Sequence, residues 1–193
     1  MSAVVWHVTM SLDGFIAGPG DAMEWVFEYF SEETSETAGD VIESTGAIIM
    51  GSHTYEVEDR YRGGIYGGAW TGPLFVLTHE PPADIPDWMT GTFINEDIQA
   101  AVARATDAAA GKNVGILGAN LAKQCLERRL LDEIVIHLAP VLLGDGMRLF
   151  AAPGVERVRL RPTQVARSGP LSDLRFRVSS GELTDAEGAT LAL

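Results

Sequence analysis

Cysteine is nearly absent from this sequence, because only Cys125 among 193 residues carries a thiol. A single cysteine excludes an internal disulfide framework and any metal site built from several cysteines. Cys125 shares a helical pattern with Leu121 and Leu126, which predicts a small core residue rather than a nucleophile.

Basic residues are scarce as well, with 14 Lys and Arg against 27 Asp and Glu, for a net charge of -13. This balance disfavours nucleic-acid binding and repels phosphates at long range. A nucleotide site would therefore depend on backbone amides and helix ends. Arg157, Arg159 and Arg161 alternate along a predicted strand, which favours a solvated strand face over a polyanion site.

No hydrophobic run approaches the roughly eighteen consecutive apolar residues of a membrane-spanning helix. The opening residues MSAVVWHVTM also lack a charged leader followed by a long apolar run. We therefore expect no membrane contact and a cytoplasmic location. Apolar segments recur to about residue 180, which predicts one domain over residues 1–181 and a tail over residues 182–193.

Hydrophobic periodicity and turn residues predict an alternation of strands and helices. Strands are predicted at residues 3–9, 47–50, 73–78, 92–94, 114–117, 133–138, 157–166 and 171–179. Ser31 and Asn95 are predicted to cap two helices, which Gly46 and Gly111 end, and two more helices follow Gly51 and Asn120. The last two strands have no helix between them, so the fold predicted is a mixed α/β sheet with helices on both faces and a closing antiparallel hairpin.

Two strand-to-helix junctions could bind an anion, at Met50 to Thr54 and at Leu117 to Asn120. Neither has the Gly-Lys-Ser/Thr of a Walker loop or the three spaced glycines of a Rossmann dinucleotide site. From the local pattern alone, phosphate binding and simple turn capping both remain open.

Four motifs resemble one known family: SLDGFIAG at 11–18, MG-x-x-TYE at 50–56, LDE at 131–133 and PVLLGDG-x-RLF at 140–150. They are similar to the reductase domain of the riboflavin-biosynthesis deaminase-reductase, whose fold is similar to that of dihydrofolate reductase. The resemblance runs from Val4 to about Val178. It implies a dihydrofolate-reductase-like, mostly parallel eight-stranded sheet, a homodimer, and NADPH as the hydride donor to a heterocyclic substrate.

The resemblance also assigns fourteen residues to the cofactor. Those beside the nicotinamide are Thr9, Ile16 and Ala17. Those holding the pyrophosphate and the 2′-phosphate are Gly51, Ser52, His53 and Thr54. Those flanking the adenine are Thr78 and His79, and those covering the remaining phosphate side are Leu117, Gly118, Ala119, Asn120 and Leu121.

The sequence departs from the family pattern at two of these positions. The family usually carries an arginine where this chain has Ser52, and His53 replaces that charge only in part, so NADH is not excluded as the cofactor. The later junction is commonly richer in glycine, and the methyl group of Ala119 restricts how closely a pyrophosphate approaches.

The resemblance leads to three candidate catalytic residues: Asp13, Trp25 and Glu32. Dihydrofolate reductases hold a carboxylate on the first helix, where this chain has Ser35, and Glu32 lies three positions earlier on a similar helical face. Asp13 is alternatively a turn residue, and Trp25, which could stack on a heterocycle, alternatively packs against the helix. His7 and His137 are predicted to be hydrogen-bonded core imidazoles.

The leading hypothesis is an NADPH-dependent reductase of a pterin- or pyrimidine-like heterocycle. The sequence has no cysteine-rich zinc signature, so a riboflavin-type reaction would need a separate deaminase. The alternatives are a non-catalytic nucleotide- or ligand-binding dimer with an eroded cofactor site, and a flavin- or drug-binding dimer. The glycine-rich stretch 63–68 is a surface loop or a mobile lid.

Overall fold

The computed structural model describes residues 2–29, 35–62, 65–85, 91–150 and 157–179. Its strands are β1 Val4–Ser11, β2 Phe15–Ala17, β3 Thr45–Gly51, β4 Leu74–Leu77, β5 Thr92–Ile94, β6 Asn113–Leu117, β7 Glu133–Ala139, β8 Met147–Arg148, β9 Leu160–Ser168 and β10 Leu171–Val178. Its α-helices are α1 Glu24–Phe27, α2 Glu36–Ser44, α3 Ser52–Arg62, α4 Ile98–Ala108 and α5 Ala119–Glu127. Short 3₁₀ turns cover Pro19–Asp21 and Ile65–Gly68.

Eight strands form one sheet in the order β5-β4-β3-β6-β1-β7-β10-β9. The six strands from β5 to β7 in this order are parallel, while β10 is antiparallel to both β7 and β9. The eight-stranded, mostly parallel sheet and its closing antiparallel hairpin are thereby confirmed. The sheet aligns the carboxyl ends of β1, β3, β4 and β6 along one edge, which is where open α/β sheets bind ligands.

Alternation along the central strands sends neighbouring side chains to opposite faces of the sheet. Trp6 and Ile134 pack with α4 and α5, whereas Val5 and Val135 pack with Val41 of α2 on the other face. The helices therefore cover both faces, as predicted. Cys125 is buried in the α5 face, and burial raises the pKa of its thiol to about 12, which confirms a core residue rather than a nucleophile.

Several predicted boundaries were wrong. The cap of α2 is Ser35 rather than Ser31, and Gly46 lies inside β3 instead of ending the helix. The cap of α4 is Asp97 rather than Asn95, because the Asp97 carboxylate accepts hydrogen bonds from two backbone N–H groups of the first turn. Residue 31 lies outside the described residues.

The first strand of the hairpin also begins later than predicted. Arg157 and Arg159 precede β9, and only Arg161 of the three arginines lies on the strand, where it is exposed. The predicted tail, residues 182–193, lies outside the described residues. None of the described helices is long and apolar enough to cross a bilayer.

A second, two-stranded sheet joins two of the family-like motifs, and sequence periodicity did not predict it. Antiparallel pairing places β8 beside β2, so that Phe15 lies opposite Arg148. At Gly146, where φ is +134°, a Cβ atom would lie 2.1 Å from the Ala17 carbonyl oxygen. Glycine is therefore required for the close approach of the chain before β8 to the end of β2.

Candidate active site

A cavity of about 1030 Å³ lies at the carboxyl edge of the sheet and is called the edge cavity here. All fourteen residues that the resemblance assigns to the cofactor line it. They are Thr9, Ile16, Ala17, Gly51, Ser52, His53, Thr54, Thr78, His79, Leu117, Gly118, Ala119, Asn120 and Leu121. Residues far apart in sequence therefore share one space large enough for a dinucleotide-sized ligand.

The two strand-to-helix junctions meet in the wall of the edge cavity. A Cβ atom on Gly118, where φ is +98°, would lie 2.3 Å from the Thr54 hydroxyl oxygen. Gly118 caps α5 with no side-chain hydrogen bond, so the first N–H groups of that helix are left to a ligand. This glycine-formed cradle at a helix N-terminus suits the pyrophosphate of a dinucleotide.

The phosphate end of the edge cavity has little fixed positive charge. Arg128 is the one lysine or arginine among its described lining residues. Ser52 is exposed at the start of α3, and His53 Nε2 lies 3.1 Å from a carboxylate oxygen of Asp21. The Asp21 contact couples the 19–21 turn to α3 and places an anion beside the predicted 2′-phosphate subsite.

Four polar side chains connect the edge cavity with the centre of the sheet, and they are called the histidine chain here. Tyr66 Oη lies 3.0 Å from His7 Nδ1, and His7 Nε2 lies 2.6 Å from His137 Nε2. His137 Nδ1 lies 2.6 Å from a carboxylate oxygen of Asp173. Tyr66, His7 and His137 line the edge cavity, whereas Asp173 is fully buried behind them.

Adjacent strands on the α2 face of the sheet position this chain. Asp173 of β10 pairs directly with His137 of β7, and His137 pairs with Thr9 of β1, which puts His7 on the diagonal. The prediction that His7 and His137 are hydrogen-bonded core imidazoles is confirmed. Their position in the cavity wall was not predicted.

Asp173 supplies a carboxylate at the start of α2, where the resemblance predicts an acid on the helix itself. Ser35 Oγ, the α2 cap, donates a 2.8 Å hydrogen bond to Asp173, and Ser168 Oγ donates another at 2.5 Å. An aspartate at an inward position of an otherwise amphipathic strand was the available signal in the sequence. The carboxylate at the N-terminus of α2 is therefore that of Asp173 on β10 and not that of a residue of the helix.

The environment of the histidine chain determines which of its groups are ionised. Burial lowers the pKa of the His7 imidazole far below its ordinary value, and the neighbouring His137 lowers it further. Burial by itself would raise the pKa of Asp173, but the hydrogen bonds from Ser168, His137 and Ser35 outweigh it and lower that pKa. His7 is therefore neutral and Asp173 is ionised at neutral pH.

The neutral state of His7 predicts acid sensitivity. Below about pH 6.5 the unfolded chain protonates His7 but the folded chain does not, so the free energy of unfolding falls as the pH falls, by up to about 1.4 kcal/mol per pH unit. Urea unfolding between about pH 6.5 and 4 measures this slope. The slope should flatten in His7→Gln but not in His79→Gln, an exposed control. Equal slopes in both variants would contradict the assignment.

Of the three candidate catalytic residues, the structure describes Asp13 and Trp25, and both lie outside the lining of the edge cavity. Asp13 is not in the cavity lining: it accepts hydrogen bonds from Ser11 Oγ at 2.6 Å and from the backbone N–H groups of Leu143 and Gly144. The Ser11 hydrogen bond in particular lowers the pKa of Asp13 to about 2, which favours the turn role over that of a proton donor.

The second described candidate is Trp25. Trp25 does not line the edge cavity, although its neighbours Val26 and Phe27 do. This favours packing over stacking on a ligand. Glu32 lies outside the described residues.

The glycine-rich stretch contributes a functional side chain that sequence reasoning missed. Ile65 is buried, and Tyr66 adopts a left-handed backbone conformation with φ of +53° before it reaches His7. A tyrosine in this conformation is strained, and such strain is concentrated at functional sites. Tyr66 therefore belongs to the cavity wall rather than to a free surface loop. Residues 63 and 64 lie outside the described residues.

Several solved structures share this fold. A protein from Shewanella sp. PV-4, provisionally named for riboflavin biosynthesis, aligns with a TM-score of 0.77 at 19% identity over 92% of this chain and 99% of its own. The riboflavin biosynthesis reductase Rib7 of Saccharomyces cerevisiae aligns with a TM-score of 0.58 at 15% identity over 92% of this chain and 90% of its own. At these identities the similarity shows the fold alone.

Comparison at the sequence level identifies the family. The uncharacterized protein YwjB of Bacillus subtilis (strain 168) is 29% identical over 157 residues, which cover 76% of this chain and 81% of YwjB. Residues 2–171 match the RibD C-terminal domain. This match spans most of the sequence, including every described residue of the edge cavity and His137. The chain belongs to the RibD C-terminal domain family.

Proposed function

We propose that this protein is a reductase that uses NADPH to reduce a C=N or C=O bond of a pyrimidine- or pterin-like compound. The observation that carries the proposal is the edge cavity, which gathers residues of both strand-to-helix junctions and three of the four members of the histidine chain in one space. When bound, the cofactor supplies a hydride to the substrate. The chain's own residues then bind the cofactor and the substrate, orient them against each other and exclude water.

The cofactor would lie along the edges of β1, β3, β4 and β6. The N-terminus of α5 at Gly118 and the start of α3 at Ser52 would hold its phosphates through backbone N–H groups. Ile16 and Ala17 of β2, both buried, would border the nicotinamide. Thr78 and His79, which follow β4, would flank the adenine.

The substrate would lie on the α2 side of the edge cavity. That wall combines apolar side chains from α1 and α2, among them Val26, Ala38 and Ile42, with the polar groups of the histidine chain. Such a wall suits a flat ring that needs a few placed hydrogen bonds. The name of one structural relative supports this class: a Thermotoga maritima protein is a 5-amino-6-(5-phosphoribosylamino)uracil reductase as well as a deaminase, and this chain covers 57% of its length.

Cofactor binding tests the proposal. NADPH titrated into the protein should quench tryptophan fluorescence saturably and raise the melting temperature. NADPH should then be oxidised in the presence of 5-amino-6-(5-phosphoribosylamino)uracil or dihydrofolate. Failure to bind either NADPH or NADH at about millimolar concentration would refute the reductase and favour a non-catalytic ligand-binding protein.

Ser52→Arg tests where the 2′-phosphate lies. The guanidinium would present a planar fork to the 2′-phosphate of NADPH, which NADH lacks, so the ratio of the NADH Kd to the NADPH Kd should rise about ten-fold. Fluorescence titration with both cofactors measures this ratio. Ser44→Arg is the control, because Ser44 ends α2 and lies outside the cavity lining. A ratio unchanged by Ser52→Arg would place the 2′-phosphate elsewhere.

The proposal also includes a homodimer. Within the described residues, the edge strand β9 pairs with β10 on one side only, and Leu160 and Val165 are exposed at 39% and 72%. An exposed, partly apolar edge strand is a surface that a second copy of the chain could cover.

A further inference from the structure

The histidine chain has a direction: it runs from the buried carboxylate of Asp173 to the hydroxyl of Tyr66 in the cavity wall. A network with a purely structural role does not need to reach the cavity. We propose that it is a proton relay, which passes a proton from the His137–Asp173 pair through His7 to the Tyr66 hydroxyl and from there to the substrate. The inference rests on the proposed reductase function, because reduction of a C=N or C=O bond consumes one proton for each hydride.

The geometry gives the chain one open end and one sealed end. Tyr66, His7 and His137 line the edge cavity, while Asp173 is 0% exposed and receives hydrogen bonds from Ser35 and Ser168. The two imidazoles meet through Nε2 atoms 2.6 Å apart. Two nitrogens at this distance share one proton, so one ring must donate while the other accepts.

Two proton arrangements satisfy the three contacts that join Tyr66 to His7, His7 to His137 and His137 to Asp173. In the loaded arrangement, His137 carries both ring protons, His137 Nε2–H donates to His7 Nε2, and His7 Nδ1–H donates to Tyr66 Oη. In the spent arrangement, His137 carries only Nδ1–H, His7 Nε2–H donates to His137 Nε2, and the Tyr66 hydroxyl donates to His7 Nδ1. His137 Nδ1–H donates to the Asp173 carboxylate in both. The two arrangements differ by one proton, and His7 is neutral in each.

The proton balance of a turnover follows from these arrangements. The carbon of the substrate double bond gains a hydride from the reduced nicotinamide, which becomes oxidised, and the π electron pair moves to the nitrogen or oxygen. That atom takes the hydroxyl proton of Tyr66. Tyr66 Oη takes the Nδ1 proton of His7, and His7 Nε2 takes the Nε2 proton of His137. The proton is restored by the reverse route: water gives a proton to the Tyr66 oxygen, the Tyr66 hydroxyl proton moves to His7 Nδ1, and the His7 Nε2 proton moves to His137 Nε2.

The groups around the two imidazoles suit a proton that moves along the histidine chain, because a buried anion lies at one end and a hydroxyl in the cavity wall at the other. Among the described residues, the charged and titratable groups that face the two imidazoles include Tyr66 from the 65–68 turn, and Asp173 and Arg175 from β10. Arg175 is itself paired with Glu133 at 3.1 Å. Asp173 is therefore the anion that balances a protonated His137. The strained backbone of Tyr66, with φ of +53°, holds its hydroxyl at the open end.

A spectroscopic experiment tests the relay without cofactor or substrate. Two-bond proton–nitrogen NMR of the ligand-free protein, recorded from about pH 5 to 9, reports the protonation state of each imidazole. As the pH falls, the histidine chain should gain one proton, and in the same step the His7 proton should move from Nε2 to Nδ1. A His7 tautomer that stays the same from about pH 5 to 9 would overturn the relay. Asp173→Asn should abolish the step.

A kinetic experiment tests the same relay during turnover. With NADPH and 5-amino-6-(5-phosphoribosylamino)uracil, Tyr66→Phe should lower the single-turnover rate about 100-fold and leave the NADPH Kd within about two-fold. Tyr29→Phe, which removes a hydroxyl outside the cavity lining, is the control. Wild-type rates in Tyr66→Phe would overturn the relay. Absence of NADPH binding to the wild type would instead refute the reductase, and the NMR titration would still decide the relay.

Discussion

Gly118→Ala is expected to weaken NADPH binding about 100-fold. The added methyl group would lie 2.3 Å from Thr54 Oγ1, so either Thr54 or the start of α5 must move. Both belong to the proposed phosphate cradle, where a displacement of about 1 Å is enough to lose a factor of this size. The backbone at φ +98° adds strain of about 1–2 kcal/mol to the folded protein. Fluorescence titration and urea unfolding measure the two effects separately.

Gly111→Ala is the matched control for this variant. Gly111 has φ of +89°, but a Cβ atom there meets nothing within 4 Å, and the residue lies outside the cavity lining. It should therefore show a similar loss of stability with an unchanged NADPH Kd. If Gly118→Ala binds NADPH as well as Gly111→Ala does, the cradle at α5 is not the phosphate site.

Asp173→Asn is expected to have the largest effect on stability. The carboxylate is fully buried and accepts hydrogen bonds from Ser35, Ser168 and His137. An amide of the same shape would turn one acceptor into a donor that faces these donors, and the negative charge opposite His137 would be lost. Breaking a buried network in this way costs about 3–5 kcal/mol. The midpoint of urea unfolding at about pH 7 measures the loss.

Asp132→Asn serves as the control for that loss. Asp132 is exposed and accepts one hydrogen bond, from the Val4 N–H at 2.8 Å. Its substitution should cost about 1 kcal/mol or less. Similar losses in the two variants would mean that the buried network around Asp173 contributes little.

The sheet could be predicted from the sequence because its central strands are continuous apolar runs ended by turn residues. The runs at β1, β3, β6 and β7 are buried on both faces, which is typical of parallel strands covered by helices. The helix N-caps were harder to predict. For α4, Asn95 and Asp97 are both good cap residues, and only the observed hydrogen bonds distinguish them. The three-residue β2 and two-residue β8 are too short to show a period.

The cofactor side of the edge cavity could be predicted because it follows motifs at the ends of strands. The histidine chain could not, because its members come from positions 7, 66, 137 and 173. Their contact depends on the register of β10 against β7, and a shift of one residue would turn Asp173 to the opposite face. The left-handed backbone that directs Tyr66 into the cavity has no sequence signal beyond the adjacent glycines.

Transfer of an isotope from the cofactor tests the reductase most directly. NADPH deuterated at C4 of the nicotinamide, on either face, would be incubated with the protein and with 5-amino-6-(5-phosphoribosylamino)uracil or dihydrofolate, and the products analysed by mass spectrometry. We expect deuterium from one of the two faces to appear on carbon in the reduced product. Unchanged NADPH and no deuterated product from either compound, at saturating cofactor, would contradict the proposed function.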